Sequence, residues 1–133
     1  MARVEAAFLC QSVMFHDSGL FSALGIGMSE FRVPTLPSAL AFTVVTIVKW
    51  ERAEAGEPHL VVLRVELGDE TVARAELPLR ALPWREGEGS GTNVAYGFAF
   101  DARRAGRYQV VASNDGEELC RLPLRVESDL PAV

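Results

Sequence analysis

Residues 107–126 read RYQVVASNDGEELCRLPLRV and form the clearest β-hairpin in the chain. Before the turn, Tyr108, Val110 and Ala112 occupy every second position. After the turn, apolar residues again occupy every second position. The alternating residues of the returning segment are Cys120, Leu122, Leu124 and Val126. Asn114-Asp115-Gly116 is typical of the tight turns that join antiparallel strands. The period of two predicts two strands, each with one buried face.

The same pattern occurs upstream. Residues 59–67 place Val61, Leu63 and Val65 on one face of a predicted strand, and Gly68-Asp69 marks a turn into a second strand over residues 70–79. Pro78 lacks a backbone N–H, so it places the end of this second strand at a sheet edge or a bulge.

Residues 39–48 differ because both alternating sets are apolar. A strand of this kind is covered on both faces, so we expect it to be central. Nearer the N-terminus, residues 4–15 and 20–26 flank a turn signal at residues 16–19, which predicts an antiparallel pair. Gly25 and Gly27 then predict a bend. Pro34 and Pro37 bracket a segment that is poorly suited to strand pairing.

No segment sustains the spacing of an amphipathic helix, so the chain is predicted to be all-β. Seven to nine short strands favour a two-sheet antiparallel β-sandwich of immunoglobulin-like or C2-like topology, with a closed barrel or jelly roll as alternatives. We expect one domain over residues 1–127 and a C-terminal tail over residues 128–133, where Pro131 and charged residues follow the last strand.

Composition and the length of the apolar runs argue against some partners and compartments. The chain has 133 residues, a net charge of -5, 49% hydrophobic and 23% charged residues. These values are typical of a folded domain and argue against nucleic acid as a partner. The longest weakly polar run, residues 39–48, is too short to span a bilayer, and residues 6–10 are too short for a secretion signal. We therefore expect a cytoplasmic protein without a membrane partner.

Cys10 and Cys120 are the two cysteines, and a cytoplasmic location favours buried free thiols over a disulfide between the first and last strands. With His16 and His59 they supply the residue types of a zinc site, but none of the four lies at the close spacing that such sites use. We predict neither a metal nor a cofactor.

Several fragments together resemble a family of small uncharacterised bacterial proteins that is classed as a domain of unknown function. The fragments span most of the chain: AFLCQSV at 7–13, Gly19, Leu24-Gly25, Pro34 or Pro37, EAGEPH at 54–59, AGRY at 105–108 and LPLRV at 122–126. The resemblance implies a β-sandwich and no assigned activity.

Residue types suited to catalysis occur in two places. His16-Asp17-Ser18 are adjacent in one predicted turn and cannot converge as a triad, so we interpret them as a turn. His59 follows an acidic loop containing Glu51, Glu54 and Glu57, which would suit an acid–base cluster, although a solvated loop is the preferred interpretation. An enzyme would require a polar pocket in which His16 or His59 lies near a carboxylate. We expect no catalytic residue.

Ligand and interface residues are predicted as follows. Trp50 and Trp84 are interpreted first as lids on the core and second as aromatic platforms for a sugar or a partner. Aspartates in four predicted turns would allow a calcium site.

The leading hypothesis is a non-catalytic protein-binding or assembly module that pairs through an exposed strand edge, at residues 77–79 or 119–126, with Leu122 and Leu124 at the contact. Its partner would be another protein or a second copy. The alternative is a module that binds calcium or carbohydrate through its loops, with Trp50, Trp84 and His59 as contacts.

Overall fold

The computed structural model describes residues 1–17 and 20–130, which form ten β-strands and contain no helix. The strands are β1 (Arg3–Cys10), β2 (Ser12–Phe15), β3 (Phe21–Leu24), β4 (Glu30–Val33), β5 (Ser38–Trp50), β6 (Pro58–Leu67), β7 (Glu70–Arg80), β8 (Ser90–Ala102), β9 (Gly106–Asn114) and β10 (Glu117–Ser128). The all-β prediction is confirmed. The number of strands exceeds the predicted seven to nine because β2, β3 and β4 have only four residues each. Within these ranges no helix could cross a membrane.

The strands form several sheets, one of which curls into a half-barrel. A three-stranded sheet has the order β1-β5-β8, a five-stranded sheet has the order β4-β10-β9-β6-β7, and β2 pairs with β3 alone. The prediction that residues 39–48 form a central strand is confirmed, because β5 lies between β1 and β8. β4 pairs in parallel with the end of β10, so an all-antiparallel arrangement is wrong at this one pair. Four residues are too few for the sequence to show such a pairing.

One hydrophobic core joins the two larger sheets. Alternate residues of β5, among them Phe42 and Val44, face the apolar rows of β6, β9 and β10. The row that the sequence predicted on β6 is almost completely buried: Val61 is 0% exposed, Leu63 1% and Val65 0%. Antiparallel pairing with both β7 and β9 places that row in the middle of the five-stranded sheet.

The first predicted strand is divided in two. Residues 4–15 do not run continuously, because the chain leaves the sheet at Gln11 and β1 pairs with β5 instead of with β3. The Gln11 N–H donates to the carbonyl of Leu24 (2.9 Å), and the Gly27 N–H donates to that of Leu9 (3.0 Å). The predicted pairing survives in the shorter β2–β3 hairpin, whose turn residues Ser18 and Gly19 lie outside the described residues.

The two predicted turns in the second half of the chain are confirmed. Asp115 and Gly116 both have positive φ, at 49° and 89°, as the two-residue turn between β9 and β10 requires. Gly68 has a φ of 59° in the turn between β6 and β7. Pro78 lies on β7, which is an edge strand. An edge strand tolerates proline because the interior hydrogen bonds of the sheet do not need its N–H.

Tyr108 closes the loop between β8 and β9. Its ring is 1% exposed in the core, and its hydroxyl donates to the carbonyl of Arg104, 2.6 Å away and four residues upstream. Burial raises the pKa of this phenol, so the group remains a donor at neutral pH. The bond fixes the start of β9 against the chain that leads into it.

We predict that Tyr108→Phe lowers the free energy of unfolding by about 1 kcal/mol, because it removes this bond while keeping the buried ring. Urea titration would measure the change. Tyr96→Phe is the matched control, since the Tyr96 hydroxyl has no recorded partner among the described residues. Equal losses in the two variants would contradict a structural role for the Tyr108 bond.

Candidate functional site

Trp50 and His59 stack at one end of the core. The indole ring of Trp50 is 3% exposed and its N–H donates to the Thr92 hydroxyl at 2.8 Å. The His59 ring lies parallel to it, with ring centroids 4.3 Å apart and an interplanar angle of 15°. The interpretation of Trp50 as a lid on the core is confirmed. The indole is not accessible as a platform for a sugar.

Both ring nitrogens of His59 face acceptors. Nδ1 lies 2.8 Å from a carboxylate oxygen of Asp115, and Nε2 lies 2.9 Å from the carbonyl oxygen of Glu54. Because neither partner can donate, the imidazole satisfies both contacts only when both nitrogens carry protons. Burial lowers the pKa of His59, but the hydrogen bonds to Glu54 and Asp115 outweigh it and raise that pKa above its usual value. The pKa of Asp115 is lowered by the N–H of Leu60 and by His59.

The groups that contact His59 in the structure differ from the acidic side chains that the sequence predicted around it. Glu54 contacts the imidazole through its backbone carbonyl, while its carboxylate accepts the N–H groups of Ala2 (3.0 Å) and Glu51 (2.8 Å). The carboxylate beside His59 belongs to Asp115, which local sequence does not place there. His59 has the nearby carboxylate that an enzyme would need, but no ring nitrogen remains to take a substrate proton. Its role is to hold the loop before β6 and the β9–β10 turn together.

His16 lies on the β2–β3 hairpin and has its own partner. Its Nε2 is 2.7 Å from the hydroxyl of Ser22 on the opposite strand. The adjacent Ser18 lies outside the described residues. Among the described residues His16 and His59 share no hydrogen-bond partner, so these contacts do not join the two rings in one site.

Trp84 differs from Trp50 because its ring is 36% exposed. It follows β7, and the guanidinium of Arg52 lies 5.2 Å from its ring centroid. A cleft of about 330 Å³ opens beside it. The cleft is lined by Met1, Arg3, Lys49, Trp50, Glu51, Trp84, Glu88, Gly89 and Ser90. The interpretation of Trp84 as a lid on the core is wrong, since the ring reaches the surface.

The aspartates of the predicted turns do not gather into one calcium site. Asp69 follows the end of β6, whereas Asp115 hydrogen bonds to the N–H of Leu60 near its start, so these two residues lie at opposite ends of the sheet. In residues 1–17 and 20–130 no group of three or more histidines, cysteines, aspartates or glutamates is placed to hold a metal ion. Cys10 and Cys120 are free thiols, as predicted, with Cys10 buried and Cys120 half-buried.

The predicted interface residues of β10 point into the protein. Leu124 is 1% exposed and Leu122 packs against the core, so neither side chain offers much surface to a partner, and the interface at this strand edge stays a prediction. The open edges near them carry charges and proline: Arg74, Glu76, Pro78 and Arg80 on β7, and Glu117, Glu118, Arg121 and Pro123 on β10. Such residues prevent pairing with another strand.

The β2–β3 hairpin carries the largest concentration of exposed apolar side chains. Five of the ten exposed large hydrophobic residues among the described residues lie between positions 14 and 26. They are Met14 at 65%, Phe15 at 57%, Leu20 at 69%, Leu24 at 68% and Ile26 at 61%. Sequence reasoning missed this surface. Its signal is that residues 18–29 contain no charged residue although they are rich in large apolar side chains.

Met14 and Leu24 lie on the outer face of the hairpin, whereas Phe15 lies opposite Phe21 on the inner face, which leans on the three-stranded sheet. Val13, Phe21 and Ala23 are half-buried on this inner side, and β2 packs against β5. Gly25 lies close to Gln11, the residue between β1 and β2, because a β-carbon there would lie 2.7 Å from Cγ of Gln11. The hairpin is therefore held in place while Met14 and Leu24 meet solvent.

Comparison with known proteins gives a family but no activity. A model described as a family of unknown function (DUF6941) matches residues 5–127. The chain belongs to this family. No curated protein matches the chain. The resemblance to a domain of unknown function is confirmed, and the match covers every strand except the first two residues of β1 and the last residue of β10.

We predict that the stability of this DUF6941 member falls as the pH rises through the raised pKa of His59. Because the folded protein holds the proton more tightly than the unfolded chain, the contribution is complete below about pH 6.5 and is lost above the folded pKa. Asp115→Asn tolerates the positive φ and removes the charge, so it should flatten the pH dependence and lower stability by about 1 kcal/mol, given that Asp115 is half exposed.

Chemical denaturation between about pH 6 and about pH 9 measures this dependence. The N-terminal ammonium also titrates there, but it is common to wild type and variant, so the difference between them isolates the His59–Asp115 pair. The same slope in wild type and Asp115→Asn would show that the pair does not control it.

Proposed function

We propose that the chain is a non-catalytic protein-binding module on an immunoglobulin-like sandwich, and that the outer face of the β2–β3 hairpin is its contact surface. The single observation that carries the proposal is the cluster of exposed apolar side chains on that hairpin. Soluble monomers rarely expose contiguous apolar surface of this kind unless it binds something.

The strand order supports the immunoglobulin-like assignment over the C2-like one. In that nomenclature β1, β5 and β8 correspond to strands A, B and E, and β6, β7, β9 and β10 correspond to C, C′, F and G. Tyr108 lies near the start of the strand equivalent to F, and its hydroxyl bonds to the backbone upstream, as the tyrosine corner of such domains does. The hairpin is then an insertion between the first strand and β4.

The charge distribution supports a protein partner for the hairpin. Residues 12–29 contain one formally charged side chain, Asp17, and the outer face otherwise presents methionine and leucine with serine and histidine. An apolar surface with a few hydrogen-bonding groups is typical of the centre of a protein interface. The free thiols of Cys10 and Cys120 are compatible with a reducing compartment, and we propose that the protein acts in the cytoplasm.

We predict that Met14→Glu combined with Leu24→Glu abolishes binding of the partner without unfolding the chain, because both side chains are about two-thirds exposed. Native mass spectrometry of protein purified from its own cells would detect a companion chain of a different protein with wild type and none with the variant. Leu130→Glu is the matched control, since Leu130 is 56% exposed outside the hairpin. An identical spectrum for all three proteins would contradict the proposal.

A second candidate function, carbohydrate binding, rests on Trp84. Its exposed ring borders a cleft with charged groups from Arg3, Lys49 and Glu51, and sugars stack on such rings while polar groups bind their hydroxyls. A sugar stacked there would displace the guanidinium of Arg52, which is 65% exposed.

We predict for this candidate that a binding sugar raises Tm as its concentration increases, because a ligand that binds only the folded state stabilises it. A thermal-shift panel of sugars tests this, and Trp84→Ala should remove the effect while Leu82→Ala, at a neighbouring exposed residue, keeps it. A Tm indifferent to every sugar would eliminate carbohydrate binding.

A further inference from the structure

We propose that β8 is a dimerisation edge: two copies of this chain join β8 to β8 in antiparallel fashion, about a two-fold axis at Tyr96. The three-stranded sheets of the two copies would then form one continuous six-stranded sheet. This inference goes beyond the proposed function, because it uses a backbone edge and not the outer face of the hairpin.

The first observation is that β8 has the longest edge without charge or proline among the described strands of the two larger sheets. The edges of β1, β4 and β7 carry charged residues, β1 is also interrupted by a bulge between Val4 and Ala6, and the open part of β10 has both charge and proline. Residues 90–100 of β8 contain neither a charged residue nor proline, and β8 pairs with β5 through thirteen residues without a bulge. Natural sheets protect an edge of this kind unless another strand covers it.

The second observation is the shape of the β8 surface. Its outward residues are small, namely Gly91, Ala95, Gly97 and Ala99 with Asn93, so no bulky side chain obstructs an approaching strand. On the other face, Tyr96 and Phe100 are partly buried against the core, and Tyr96 packs edge-on against Phe98 with ring centroids 4.9 Å apart. In the two-fold arrangement Tyr96 lies opposite Tyr96 of the other copy, and cross-strand aromatic pairs of this kind stabilise sheets.

The third observation is charge complementarity, which selects a second copy as the occupant. With Tyr96 opposite itself, Asp101 of one copy lies opposite Gly91 of the other, on the same face. Lys49 reaches over Gly91: a β-carbon on that glycine would lie 3.0 Å from Nζ. Asp101 has no recorded ion pair among the described residues, and Lys49 is bound only by Glu5 at 3.3 Å. The symmetric dimer therefore brings each unpaired Asp101 to the Lys49 of the other copy.

A cleft beside this edge fits the same arrangement. It has a volume of about 470 Å³ and lies between Phe15 of the hairpin and residues 91–93 of β8. Because Asn93 would lie opposite Ala99 of the other copy, residues 99–101 of that copy would border the cleft. The exposed side of Phe15 would then face the second chain.

Cysteine cross-linking in a mixture tests both the interface and its register. Asn93 and Ala99 are exposed, and the register places each opposite the other across the axis, within reach of a disulfide or a short bis-thiol reagent. Asn93→Cys alone and Ala99→Cys alone should give no cross-linked dimer, whereas an equimolar mixture should give one. Wild type treated in the same way measures the background from Cys10 and Cys120.

Sedimentation velocity over a range of concentrations tests the dimer independently. Asp101→Lys places two lysines opposite each other and should raise the dimer Kd about tenfold, because two symmetric contacts are lost. Adding Lys49→Asp should restore association, and Asp69→Lys, with the same change of charge in a turn, should leave the Kd unchanged.

A chain that remains monomeric at millimolar concentration would overturn the proposal. So would a dimer whose mixed cysteine variants do not cross-link, or one that Asp101→Lys does not weaken. Met14→Glu with Leu24→Glu should leave the dimer intact, so a failure of the hairpin proposal and a failure of the β8 proposal give different results.

Discussion

The arrangement of this molecule depends on the burial of β5. One alternating row of β5, with Phe42 and Val44, faces the five-stranded sheet and is buried, whereas in the opposite row only Val45 is buried to the same degree. Burying the first row removes a large apolar area from water, which is the main favourable term in folding. The five-stranded sheet covers the first row. The second row lies on the side where the β2–β3 hairpin packs.

Covering a sheet with so short a hairpin has a consequence at the surface. A pair of four-residue strands has two faces, and no further layer lies outside it. Val13 and Phe21 turn towards β5, while Met14 and Leu24 turn to solvent. A hairpin that only covers a sheet would carry polar side chains on its solvent-facing side, as antiparallel sheets with one solvated face do. The exposure of Met14 and Leu24 therefore calls for an explanation beyond folding, and this exposure is the basis of the proposed contact with another protein.

Most charged residues of the chain form ion pairs at the surface or lie on the open edges of sheets. His59 is the one histidine in the described ranges that contacts a carboxylate, and its second ring nitrogen lies within hydrogen-bond distance of a backbone carbonyl. Most other ion pairs lie on the surface, where each contributes little to stability. Their placement on β1, β4, β7 and β10 matters more, because it closes those edges to other strands. β8 lacks this protection, and Asp101 at its end is without a recorded partner.

Sequence patterns were enough to predict the all-β class, the central position of β5 and the hairpins β6–β7 and β9–β10. These features depend on alternation and on turn residues such as Asp115 and Gly116, whose effects act over a few neighbouring positions. The sequence also identified Trp50 as a lid and Cys10 and Cys120 as free thiols. The break at Gln11 could not be predicted, because the alternation of apolar and polar residues continues where the chain passes from one sheet to another.

Which side chains contact each other depends on how the strands are assembled. Asp115 reaches His59 across 56 positions, Leu124 is buried although it lies on a strand with an open edge, and Trp84 is exposed although Trp50 is not. Each outcome depends on which strands are neighbours and which element lies over them, and contacts between distant segments leave no periodic signal in the chain. The exposed hairpin and the unprotected edge of β8 follow from the same cause, since exposure is a property of the assembled sheets and not of the residues that compose them.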